Sequence, residues 1–167
     1  MICAQPAQVE VRYRPSYEEI ADDRISAEYR RTEAEMILSR QTSEYVNQTM
    51  ARVELEKRLQ KLGRLSKNWD SYGGDVPSAA AISSALEIGA TFIKLGLSPD
   101  VIVPSSEGGV ALCFMRDKKY ADVEFFNSGS IIAVRHSSQD DPKAWSIGRD
   151  NAAIESTVKI ISQYLSL

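Results

Sequence analysis

The sequence has one histidine and two cysteines, and no run of apolar residues reaches the length of a membrane span. Each scarcity closes off a class of function. His136 alone, with no partnered serine or cysteine, cannot supply a nucleophilic triad. Cys3 lies near the start and Cys113 in a strand-like segment, so the two form no disulfide framework and fit a reducing cytosol. Lys and Arg number 20 against 23 Asp and Glu, a net charge of −3. Residues 1 to 66 hold 11 basic and 11 acidic side chains, and residues 67 to 167 hold 9 and 12. Neither part offers the basic excess that neutralising many phosphates requires, which disfavours duplex nucleic acid as a partner. The opening Met-Ile-Cys-Ala-Gln-Pro lacks the charged and apolar regions of a secretory signal. The expectation is a cytoplasmic protein with no membrane partner.

Proline and glycine are scarce where they would interrupt a helix. After Pro6 and Pro15, which bracket the alternating segment Val9-Glu10-Val11-Arg12-Tyr13-Arg14, there is no further proline until Pro77 and no glycine until Gly63. Ser16 followed by Glu19 reads as a capping box, and the stretch from 16 to about 65 is rich in Glu, Arg, Ala and Gln. This predicts a long helical segment and leaves open whether it is one helix or two. Ile20, Ile25, Tyr29, Met36 and Ile37 are too sparse for a self-sufficient apolar stripe, whereas Leu55, Leu59, Leu62 and Leu65 form a dense one. The domain boundary is therefore expected near residue 50, with residues 1–50 a tail and helical arm and 51–167 a compact domain.

Within the second part, Asn68-Trp69-Asp70-Ser71-Tyr72-Gly73-Gly74 reads as a structural corner. Its aromatics can pin it to a core, Asp70 can bond nearby amides, and Gly73 and Gly74 are expected at positive φ. Pro77 or Ser78 then opens a helix with an inward face of Ile82, Ala85, Leu86, Gly89 and Ile93, ending at Leu95 before Gly96 and Pro99. Strands follow at Val101 to Val103, Val110 to Arg116, Tyr120 to Phe126, Ser130 to His136 and around Trp145, joined by short turns. Val110, Leu112 and Phe114 share one strand face, as do Ala121, Val123 and Phe125. Asp150 caps a last helix carrying Ile154, Val158, Ile161 and Leu165. Consecutive hairpins make an antiparallel sheet, so the expected class is α+β: four or five strands packed with two or three helices, preceded by a long N-terminal helical arm.

The corner and its surroundings resemble a group of small bacterial and phage proteins. The resemblance rests on Leu62, Leu65, Asn68 to Gly74, Pro77, Ala81-Ile82, Ala85, Phe92, Pro104 and Glu107-Gly108-Gly109-Val110. It covers about residues 53 to 135 and leaves the N-terminal third outside. The group carries a Trp-Asp-Gly-Tyr-Gly-Ala corner, a helix, and an Asp-Gly-Gly turn into a strand of Leu-Glu-Trp type. This chain departs at Ser71, at Gly74, and at Cys113-Phe114 in place of Glu-Trp. The resemblance implies an association with mobile elements and supplies no activity.

Three functional readings follow. The first is a non-enzymatic interaction or accessory protein, such as an inhibitor or operon partner of phage origin. It would bind another protein, or itself as an oligomer, through an arm that includes Ile20, Tyr29, Ile37 and Tyr45. The second is a small-ligand or nucleotide-binding module with a pocket at Trp69, Asp70, Tyr72 and the Glu107 turn. Large aromatics are mostly packing residues, so Trp69 and Tyr72 are first expected to staple the corner onto the sheet. The third is a metal-dependent hydrolase, because Asp122 and Glu124 alternate on one strand and share a face where an oxygen-ligated cation could sit. Such sites draw ligands from several elements, and no His-Asp spacing accompanies these two, so a solvated face is the simpler reading. No metal or other cofactor is expected, and no catalytic residue is assigned.

Overall fold

The computed structural model describes residues 17–137 and 141–166. The segment from Val9 to Arg14, Cys3, the capping Ser16 and the side chain of Ile20 lie outside the described residues. With no breaker between Tyr17 and Leu62, the first element is one uninterrupted helix, α1 (Tyr17–Leu62, 46 residues). Its surface is held by short-range bonds: Arg31 Nε to Glu35 Oε1 at 3.1 Å, Arg58 Nε to Glu54 Oε1 at 2.8 Å, and the Thr32, Thr42 and Thr49 hydroxyls to carbonyls one turn back. Exposed pairs of this kind contribute only about 0.2–0.5 kcal/mol each. The chain divides into two units at Glu44/Tyr45. The expected boundary near residue 50 falls between that division and Leu55, the first fully buried side chain of α1 among the described residues.

In the second unit, α2 (Ala79–Lys94) starts where the Ser78 hydroxyl accepts the Ala81 N–H at 3.1 Å. It stops at Leu95, as expected. Gly96 takes φ 86°, its N–H reaches the Ile93 carbonyl, and the Leu97 N–H reaches the Phe92 carbonyl at 2.9 Å. This paired closure satisfies carbonyls that the helix end leaves open, and it folds Leu97 back onto the core. Then come β1 (Val101–Ser105), β2 (Gly109–Arg116), β3 (Lys119–Phe126), β4 (Ile131–Ser137) and β5 (Lys143–Ser146), and the chain ends in α3 (Asn151–Ser166). The strands form one antiparallel meander in the order β1-β2-β3-β4-β5. Asp150 caps α3 by accepting the Ala153 N–H at 2.9 Å. The fold is α+β, with a five-stranded antiparallel sheet, three helices among the described residues and a long N-terminal helix.

Register assigns the two faces of the sheet. Val110 pairs with Phe125, Leu112 with Val123 and Phe114 with Ala121, and the row continues through Ile131 and Ala133 on β4. All of these are buried in one cluster with Leu55 and Leu59 of α1, Ile88, Phe92 and Ile93 of α2, and Ile154, Val158 and Ile161 of α3. The helices therefore cover this face. Where α1 meets α2, a Cβ on Gly89 would stand 2.9 Å from Leu55 Cδ2 and 3.0 Å from Leu112 Cδ1, so the missing side chain lets helix, helix and sheet close together. The inward face of α2 differs from the expected one. Ala81, Ser84 and Ile88 join Ala85, Gly89, Phe92 and Ile93, while Ile82 and Leu86 are only half-buried, because α2 is packed from two sides.

Burial along α1 generates a contrast. Replacing Leu55, 1% exposed, by Ala should cost about 2–5 kcal/mol in urea unfolding. Replacing Met50, 65% exposed, by Gln should stay within about 0.5 kcal/mol. Equal costs at the two positions would contradict the assignment of where the core begins.

Candidate functional site

The corner is built largely from its own hydrogen bonds. Asp70 Oδ1 accepts the N–H groups of Tyr72 at 2.8 Å and Gly74 at 2.9 Å, and the Gly74 bond leads in holding this carboxyl below its ordinary range. Asn68 Oδ1 accepts the Gly73 N–H at 2.7 Å, and the Asn68 N–H returns to the Gly74 carbonyl. Asn68 and Ser71 both sit at φ 65°, and Gly73 at φ 95°. Gly74 does not take the expected positive φ. It is glycine for space, since a Cβ there would lie 2.8 Å from the Asp70 carboxyl and 2.9 Å from Trp69 Nε1.

The two aromatics part company. Trp69 is half-buried and its Nε1–H donates to the Asp75 carbonyl at 3.2 Å, so it does brace the corner. Tyr72 is 94% exposed and staples nothing, which corrects the expectation for that residue. Its own N–H bonds back to Asp70 and that of Gly73 to Asn68, while its side chain stands in solvent.

A residue with no sequence signal links the corner to the sheet. Asn127, in the turn after β3, accepts the Ser78 N–H at 2.6 Å and donates to the Val76 carbonyl at 2.9 Å. Gly108, at φ 83°, lies beneath it, where a Cβ would meet Asn127 Nδ2 and stand 3.1 Å from the Asp75 Cβ. The segment from Asp75 to Ser78 that follows the corner is thus held beside the Glu107 turn through the Asn127 side chain. Glu107 is exposed, and its N–H bonds to the Ser105 hydroxyl.

The more unusual chemistry is on the second face of the sheet. Register places Val103, Ala111, Glu124, Ile132 and Ser146 in one row and Val101, Cys113, Asp122, Val134 and Ala144 in the next. Met115, Tyr120 and His136 make a third. These rows lie on the face opposite the core cluster. Tyr120 donates its hydroxyl to Cys113 Sγ at 3.2 Å and meets the His136 ring edge-on at 5.0 Å. Burial pushes the Cys113 thiol up and the Tyr120 hydroxyl well above its ordinary value, so neither is a ready nucleophile. Asp122 and Glu124 are half-buried rather than solvated as expected, because Ala111, Cys113, Ile132 and Val134 flank them. Burial, reinforced by Glu124 and opposed by His136, pushes Asp122 up to about 6.

Metal chemistry would need more donors. No group of three or more His, Cys, Asp or Glu side chains among the described residues is arranged to hold an ion. A groove of about 960 Å³ runs along the outer side of α1 and α2, floored by Val53, Leu86, Ala90 and Ile93 and rimmed by Tyr45, Arg52, Glu56, Glu87 and Lys94. None of the described helices is long and apolar enough to cross a membrane. No known protein family, curated protein or solved structure matches this chain.

Two outcomes test this geometry. Asn127→Ala removes a donor and an acceptor from a junction between distant segments and should cost about 1–3 kcal/mol in thermal unfolding. Asp122 holds its proton more tightly folded than unfolded, so its contribution to stability falls as pH rises between about 4 and 6. Asp122→Asn should therefore stabilise the protein by about 1 kcal/mol near pH 7, after solvent screening of a half-exposed carboxyl, and by nothing near pH 3.5. A loss of stability at neutral pH would show that the carboxylate has a partner.

Proposed function

We propose that this protein is a non-enzymatic interaction module that binds another protein, or a second copy of itself, through α1. The observation that carries the reading is a set of large apolar side chains left on the surface of one helix. Met36 is 61% exposed, Tyr45 71% and Met50 65%, and Tyr29, Ile37, Leu38 and Val46 are each more than half exposed. Isolated apolar residues on a surface need no explanation, but seven large ones between residues 29 and 50 of one helix are a concentration that favours an interaction site. The groove beside Tyr45 and Val53 adds an apolar floor with a mixed-charge rim, the arrangement by which a two-helix surface receives an amphipathic helix. An accessory role of the kind borne by phage or other mobile elements fits this reading. It is the role that the resemblance of the corner and the Glu107 turn implies.

Photo-reactive methionine tests the proposal where it matters. Incorporated during expression, it should cross-link from Met36 and Met50 to one partner protein or to a second copy of the chain. Gln in place of Met36, Tyr45 and Met50 should abolish the assembly while moving the melting temperature by no more than about 2 °C. An assembly that survives the triple substitution, or no product from either methionine, would refute it.

A further inference from the structure

The second face of the sheet carries an inference independent of α1. We propose that it is a docking surface for a segment of a partner protein that presents an arginine or lysine between apolar side chains, with the cation seated on Asp122 and Glu124. The two carboxylates stand at alternate positions of β3, the central strand of five, and cross-strand neighbours on both sides are Ala111, Cys113, Ile132 and Val134. A carboxylate in such company loses hydration, and the ordinary remedies are a cation or several N–H donors. Among the described residues the only such group is His136, whose Coulombic influence favours the Asp122 carboxylate. No ion pair or hydrogen bond among the described residues reaches the side-chain carboxylate of Asp122 or Glu124. Tyr120, the nearest hydroxyl on their own strand, is committed to Cys113.

The surrounding face says what kind of molecule brings the cation. Val103 and Met115 are exposed and Val101, Ile132 and Val134 half-buried, so the carboxylates sit among apolar side chains of β1, β2 and β4, with His136 one row away on β4. A hydrated inorganic cation would leave that field in water. A protein segment with an arginine or lysine between apolar side chains covers the field and neutralises the centre together, and arginine can also bond a carboxylate with two parallel N–H groups. The Asp122 carboxylate is, in addition, a cost to the folded protein when nothing is bound, since burial holds it above its ordinary range. Basic, apolar-flanked partner chemistry removes that cost.

The test uses the full chain and synthetic peptides near pH 7.5, above the range in which Asp122 titrates. Three short peptides are compared by NMR titration: alternating valine and arginine, alternating valine and glutamate, and alternating glycine and arginine. The valine–arginine peptide should bind saturably and shift the resonances of Cys113, Ile132 and Val134. The other two should bind at least about tenfold more weakly. Asp122→Asn combined with Glu124→Gln should weaken the valine–arginine peptide by about tenfold or more while raising the melting temperature, which separates lost docking from lost folding. The inference is overturned if the valine–arginine peptide does not bind, if it binds the double variant equally, or if the glycine–arginine peptide matches it. It is likewise overturned if millimolar Mg²⁺ displaces the peptide and raises the melting temperature of the wild type alone, which would assign the carboxylates to a metal.

Discussion

Burial of one face of the sheet is the interaction on which the rest of the structure depends. Val110, Leu112 and Phe114 on β2, with Ala121, Val123 and Phe125 on β3, make an apolar surface that water would not tolerate. The last turns of α1, with α2 and α3, close over it. The remaining devices serve that closure. Ser78 and Asp150 start α2 and α3 at the right places, Gly96 turns the chain back onto the core, and Gly89 lets Leu55 come within contact of the sheet. Asn127 and Arg149 then tie the turns to the helices: Arg149 donates to the Ser84 hydroxyl at 3.0 Å and to the Gly129 carbonyl at 3.3 Å. Covering one face also decides what the other face is. Its apolar rows and its two carboxylates lie outside that core cluster.

Local signals were legible in the sequence because local chemistry sets them. The alternation of Ala121, Val123 and Phe125 fixed the strand face, and the Gly96-Leu97 pair fixed the end of α2. The uninterrupted α1 followed from the lack of any breaker, although no residue in it announced that one helix rather than two would form. What escaped was set at a distance. Which side of α2 faces inward depends on α1 and the sheet together, so Ala81 and Ile88 were missed in favour of Ile82 and Leu86. Asn127 reaches across 49 and 51 residues to Ser78 and Val76, and nothing near it in the chain marks that reach. Trp69 and Tyr72 look alike in a motif, yet Trp69 is half-buried and bonded to the Asp75 carbonyl while Tyr72 stands exposed. The partial burial of Asp122 and Glu124 likewise required the register of three strands.

The same physics divides α1. Leu55 and Leu59 are held by the core, whereas the apolar side chains from Tyr29 to Met50 are not. A helix derives most of its stability from packing an apolar face, and an isolated charged helix is marginal in water. If α1 binds as proposed, the order of residues 28–44 depends on a partner, while that of residues 55–62 belongs to the fold. Hydrogen exchange followed residue by residue measures this directly. In a dilute monomer the amides of residues 28–44 should exchange within seconds to minutes, those of residues 55–62 should be protected by the full stability of the domain, and assembly should slow the first group alone. Strong protection of residues 28–44 in the dilute monomer would contradict the account, because it would mean that this stretch already has its packing partner within its own chain.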